Sequence, residues 1–322
     1  MPLASNLPRT FRQLSLTAIT LLLAACAGAQ AATSQPGATP TETAINTTPT
    51  QAPINDTAEP MPATSEPAAT PTATPGPDDW TSAPVIPVIS ANALAIYEHG
   101  LELGNDPRVF SKLGDCETFT TWFLTPFDQQ PQTYDLGPYS HLTAVIEYYS
   151  GSFERPSMAA RPGFNASSVF APLWADPERC ESGETPIECE FRRNHPSVVL
   201  IMFGTNDRWH LDEFEAQMRR MIEYAIEHGV VPILSTKADN LEGDESINRT
   251  IYALALEYDI PLWNFWRAVQ PLPNHGLDPD GAHLTFGANR FGDDDAMQAA
   301  WPVRNLTALQ VLDAILNATE DG

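Results

Sequence analysis

Downstream of residue 85 the apolar positions alternate between short runs and stripes at helical spacing. Ala91 to Leu103 reads as a helix, with Ser90 placed to cap it and Gly104 to stop it. "RVFSKLGD" (108–115) reads as a strand entering a tight turn, and His141 to Tyr149 has a helical pattern. "SVVLIMFG" (197–204) is unbroken, apolar and rich in β-branched residues, as expected of a strand covered on both faces of a parallel sheet. Phe214, Met218, Met221, Ile222, Ala225 and Ile226 then mark one helix face, ended by Gly229. "VVPILST" is the next strand, Ile247 to Tyr258 a helix and "IPLWNF" a short last strand. Leu306, Leu309, Leu312, Ile315 and Leu316 predict an amphipathic C-terminal helix. Alternation of this kind predicts an α/β domain with a parallel sheet, whose functional loops lie at the carboxyl ends of the strands.

The first 84 residues carry no such pattern. Arg9 and Arg12 precede the apolar run Leu16–Ala25, which is too short to favour a spanning helix and reads as a signal peptide over 1–25. Leu23-Ala24-Ala25-Cys26 resembles the lipobox of bacterial lipoproteins, which would make Cys26 the lipidated first residue. Residues 26–84 are dominated by Thr, Pro, Ala and Ser and predict a disordered linker, leaving 85–322 as the folded domain. The expected location is extracytoplasmic and membrane-anchored.

Charge narrows the partners. With 41 acidic and 17 basic residues and a formal charge of −24, the chain has no basic stripe for phosphates, which argues against nucleic acid. The four cysteines are Cys26, Cys116, Cys180 and Cys189. If Cys26 carries lipid, three remain. The short turn-like span between Cys180 and Cys189 favours their pairing and leaves Cys116 free; Cys116 with either of the others is the competing connectivity.

Three strand ends carry polar clusters: Gly114-Asp115-Cys116, Gly204-Thr205-Asn206-Asp207, and Asp278, Asp280 and His283 in "LDPDGAHLTF". Nucleophilic acyl transfer requires a nucleophile, a base, a group that orients the base, and donors for the oxyanion. Cys116, His283, Asp280 and the Asn206 amide match those requirements in turn. In order and spacing the three blocks resemble the signature of the SGNH (GDSL-type) hydrolases, with Cys116 where that family has serine. The resemblance implies a flavodoxin-like α/β/α sandwich on a mostly parallel five-stranded sheet and an esterase needing no metal or organic cofactor. It also implies oxyanion donors at the Cys116 N–H, the Asn206 side chain and a glycine N–H. Gly163 in "RPGFNASSVF" is the best match for that glycine and Gly151 the alternative.

The expected substrate is an acyl or acetyl ester on a small molecule, lipid or glycan. The other reading is a catalytically silent fold of the same kind that binds a surface ligand such as glycan. His99, His141, His195, His210, His228 and His275 show no metal-ligand spacing, and Asp293–Asp295 reads as a solvated acidic loop. Trp122, Phe123, Trp209, Trp263 and Trp266 read as core or pocket wall, with Trp209 close to the second block.

Overall fold

The computed structural model of the chain describes residues 76, 79–130 and 132–320, all within the unit Thr70–Gly322. The expected signal peptide, Cys26 and the linker up to residue 75 lie outside the described residues. Among the described residues, no helix is long and apolar enough to cross a membrane.

Helix α1 (Ala91–Leu103) forms as expected. Ser90 Oγ accepts the Ala93 N–H, and Gly104, at φ +92°, ends the helix in the left-handed region that glycine enters without strain. α1 is followed by β1 (Asp106–Gly114), the one-turn helix α2 (Cys116–Phe119), α3 (Thr143–Tyr148) and α4 (Pro186–Asn194). Then come β2 (Pro196–Met202), α5 (Leu211–Glu227), β3 (Val231–Ser235) and α6 (Ser246–Glu257). The chain ends with β4 (Leu262–Trp263), α7 (Phe265–Val269) and α8 (Ala300–Glu320).

The strands make one parallel sheet in the order β1-β2-β3-β4. Every residue of β2 is buried, which accounts for its continuous apolar run. Helices cover the sheet. Phe191 of α4 packs on Tyr224 of α5, and Arg219 of α5 bonds Glu257 of α6, while α8 packs with α3 and α7. The architecture is the expected α/β/α sandwich.

Among the described residues the sheet has four strands, not five. Beside β1 a fifth strand is reduced to one parallel bridge, Gly114 with Ala160. Gly114 N donates to the Ala159 carbonyl (3.2 Å), and Arg161 N donates to that of Gly114 (3.1 Å). Farther back along β1, side chains take over: Ser152 Oγ accepts the Phe110 N–H (3.4 Å), and the Arg155 guanidinium donates to the Phe110 carbonyl. Pro156 and Pro162 flank the bridge, and neither has an N–H to extend a ladder.

Two other expectations change. The packed region begins ahead of residue 85, because Trp80 is buried and the Asn264 amide donates to the carbonyls of Trp80 (2.7 Å) and Ala83 (3.0 Å). α8 is not simply amphipathic, since Arg304, Asn305 and Thr307 are buried beside its leucines. Asn305 accounts for its own burial. Its Oδ1 accepts the Leu124 N–H (2.9 Å), and its amide donates to the Trp122 carbonyl (2.9 Å) and to Asn289 (3.0 Å).

Candidate active site

β1 ends at Gly114, where a Cβ would stand 2.1 Å from Thr118 Oγ1 and 2.7 Å from the Met202 carbonyl oxygen, so only glycine lets the chain turn there. Asp115 caps α2, its carboxylate accepting the Glu117 N–H at 3.0 Å. Cys116 is the first residue of that turn and is a free, half-buried thiol. Cys180 and Cys189 form a disulfide, as the sequence favours. The Cys180–Glu184–Cys189 cluster has metal-ligand proximity, but the disulfide consumes both of its sulfurs.

The third block arrives on a loop after α7 that folds back on itself, with Asp278 N donating to the His283 carbonyl (2.8 Å) and Leu277 bridging Leu284. This places His283 Nε2 3.9 Å from Cys116 Sγ. The other ring nitrogen, Nδ1, lies 2.6 Å from Asp280 Oδ2. Asp280 Oδ1 accepts the backbone N–H groups of Ala282 (2.9 Å) and His283 (3.0 Å). Those amides, the His283 one foremost, hold the Asp280 carboxyl below the ordinary carboxylate range. An ionised Asp280 favours the neutral tautomer with its proton on Nδ1, in which Nε2 presents its lone pair toward sulfur. The hydrogen bond that His283 Nδ1 donates to Asp280 also raises His283 above its ordinary value of 6.5.

Electrostatics around the thiol run the other way. Burial, followed by the carboxylates of Asp115 and Glu117, pushes Cys116 up to about 11. Burial also lifts Asp115 to about 7. At neutral pH the sulfur is a thiol rather than a standing thiolate. Any attack by this sulfur would need a base to take its proton, and His283 Nε2 stands at 3.9 Å.

The second block lies nearby with its side chains engaged. Asn206 Nδ2 donates to the Phe164 carbonyl at 2.9 Å, and Asp207 Oδ1 accepts the Ala166 N–H at 2.9 Å, so the block is laced to the segment that carries Gly163. Gly163 follows Pro162, which lines the same cavity as Cys116. The Gly163 N–H has no acceptor among the described residues. By contrast, the Gly151 N–H donates to Asp128 Oδ1 at 2.8 Å and is not free to bind an oxyanion. Of the two glycines, only Gly163 keeps an open donor.

Sequence reasoning misses Glu117 and Arg304. Glu117 Oε1 accepts the Leu284 N–H (3.3 Å), and its Oε2 lies 3.6 Å from Arg304 Nη1, so it ties the turn of Cys116 to the loop of His283. Arg304 is buried in α8 with its guanidinium over the Phe123 ring at 4.7 Å. The faint signal is a lone arginine inside an apolar helical stripe. The aromatic expectations hold in part: Phe123 and Trp263 are core and Trp122 lines a surface cavity with Phe286 and Trp301, whereas Trp209 is exposed. Arg208 covers the Trp209 ring at 4.5 Å.

No family model matches the chain, and no curated protein matches it. Its structure is similar to several solved ones at low identity. A psychrotrophic esterase from Pseudoalteromonas sp. shares 12% identity at a TM-score of 0.41, over 65% of this chain and 99% of that one. A putative lipolytic protein of the G-D-S-L family from Desulfitobacterium hafniense shares 14% at 0.38, over 63% and 99%. An acetylxylan esterase from Geobacillus stearothermophilus shares 15% at 0.40, over 65% and 94%. At these values the likeness concerns fold alone.

Proposed function

We propose that this chain is an ester hydrolase that uses Cys116 as nucleophile, is exported, and is held at the membrane through lipid on Cys26. The observation that carries the catalytic reading is the continuous contact from Cys116 Sγ to His283 Nε2 (3.9 Å) and from His283 Nδ1 to Asp280 (2.6 Å). A sulfur-to-nitrogen separation of that length in a free site is ready to tighten around a substrate.

In the proposed reaction His283 Nε2 takes the Cys116 proton as the sulfur attacks the ester carbonyl carbon, and the carbonyl π pair moves onto oxygen. The Cys116 and Gly163 N–H groups and the second N–H of Asn206 are the donors for that oxyanion. Collapse breaks the bond to the alcohol oxygen, which leaves with the proton from Nε2. Water, deprotonated by the same nitrogen, then hydrolyses the thioester and restores the thiol with release of the carboxylic acid. Asp280 steadies the imidazolium in both halves.

The test is turnover of a chromogenic short-chain ester by wild type, Cys116→Ala and Cys116→Ser. Wild type should turn over, and the alanine variant should lose roughly three orders of magnitude or more. The rate should rise with pH through a value above 6.5, because only neutral His283 can accept the proton. No turnover by wild type, or full turnover by the alanine variant, overturns this mechanism.

A second reading, a silent pocket that binds without cleaving, draws on the raised thiol and on the Asn206 amide already engaged by Phe164. It requires an inactive wild type; activity gained by Cys116→Ser would then mark the thiol as what silences the site.

A further inference from the structure

The sequence contains two lysines, Lys112 and Lys237, and both are buried. Lys237 is fully engaged: its Nζ donates to Asp239 Oδ1 (2.9 Å), the Asp239 carbonyl (2.6 Å) and Glu242 Oε2 (2.6 Å). Lys112, 6% exposed, donates only to the Phe153 carbonyl (2.6 Å). Among the described residues no carboxylate lies within the 4.0 Å of an ion pair with it. An ammonium has three N–H donors, so two are left over.

The neighbouring acids are occupied elsewhere. Glu190 Oε1 accepts Ser111 Oγ (2.6 Å) and Arg155 Nη1 (3.2 Å), and Oε2 accepts the Met158 N–H (2.7 Å). Asp128 takes the N–H groups of Gly151 (2.8 Å) and Glu154 (2.9 Å). Glu154 itself sits on the exposed rim. In a chain with 41 acidic residues, a buried cation without a counter-charge is an expensive arrangement that a ligand anion would relieve.

Lys112 lines a cavity of about 500 Å³ that it shares with Cys116. Thr118, also on its wall, is 3% exposed and has no partner for its hydroxyl. His283 is not among the lining residues. That asymmetry sets the direction of a substrate: the leaving alcohol must face His283 to receive its proton, so the acyl part enters this cavity. Three residues lie between Lys112 and Cys116, and the four chain steps span at most about 14 Å.

Resting on the reading of Cys116 as an acyl-transfer nucleophile, we propose that this cavity is an acyl pocket for a chain ending in a carboxylate, held by Lys112 and Thr118. The substrate class is then a monoester of an aliphatic dicarboxylic acid.

The test compares two product-like acids by calorimetric titration of the full chain at pH 7. Adipate has six carbons and two carboxylates; hexanoate has the same length and one. Adipate should bind at least tenfold tighter. Lys112→Met should bring the two affinities together, and Lys112→Arg should keep the preference. Equal affinities in wild type, binding of neither acid, or a Lys112→Met protein that folds with a cooperative melt and still prefers adipate would overturn the proposal. If Lys112→Met does not fold, the wild-type comparison and Lys112→Arg decide. The readout needs no turnover, so an intact adipate preference in a protein that cleaves no ester overturns the esterase reading alone.

Discussion

The two lysines line different cavities that both border the Cys116 turn, and the surroundings of each set the two apart. Lys237, two residues past the end of β3, lines a cavity of about 30 Å³, room for about one water, lined also by Asp115, Glu117 and Arg304. Its charge is answered by Asp239 and Glu242, and Asp239 in turn accepts the Thr205 hydroxyl at 2.7 Å. Lys112, at the end of β1, faces about 500 Å³ and no carboxylate partner. One region is closed by its own residues and supports the Thr205–Asn206 turn; the other is left open. The contrast teaches that burial of a charge is not itself a mark of function: what distinguishes the two is whether the protein supplies the counter-charge.

The largest effect should come from breaking the closed side. Lys237→Met leaves two buried carboxylates facing each other and should cost about 3–5 kcal/mol, read as a lower urea midpoint at unchanged slope. A neutral outcome would mean that the cluster is not held by the ammonium.

Lys112→Met should do the opposite at pH 7, raising stability by about 1–2 kcal/mol despite the lost bond to Phe153. Burial lowers Lys112 to about 8 in the folded protein, whereas an unfolded lysine titrates near 10.4. Between those values the unfolded chain holds a proton that the folded one has released, so wild-type stability rises with pH from about 8 upward. The variant lacks that rise, and the two denaturation curves should converge over the window. A variant less stable than wild type at pH 7 would show that Lys112 is satisfied internally.

The smallest effect crosses from one side to the other. Glu117 lines the closed cavity, yet its charge raises the Cys116 thiol. Glu117→Gln keeps an oxygen for the Leu284 N–H and removes the charge, so the pH midpoint of Cys116 alkylation should fall by about one unit. An unmoved midpoint would mean that burial and Asp115 set the thiol without Glu117.

Much of this was readable from residue pattern. The cap and stop of α1, the buried run of β2 and the helical stripe of α5 follow from local chemistry, and the structure has each of them. α4 carries a local signal that the apolar pattern does not show: Thr185 and Glu188 form a capping box, with Pro186 at the first position. The turn-like residues around Cys180 masked it. The missing fifth strand was not legible, because it depends on Ser152 and Arg155 reaching β1 across the chain. Expecting it came from resemblance, not from an apolar run.

The sequence by itself determined the order of the four strands and of helices α1, α3, α5, α6 and α8 and the residue types at three strand ends, and it favoured the disulfide of short span. Each rests on local spacing, which a linear reading can follow. Only the tertiary structure decided that His283 stands 3.9 Å from Cys116, that Gly163 rather than Gly151 keeps its N–H open, and that Glu117 joins the two loops. It alone separated two lysines that look alike in the sequence. Partners of a buried charge come from distant segments, and no local pattern states which carboxylates the fold will bring within reach.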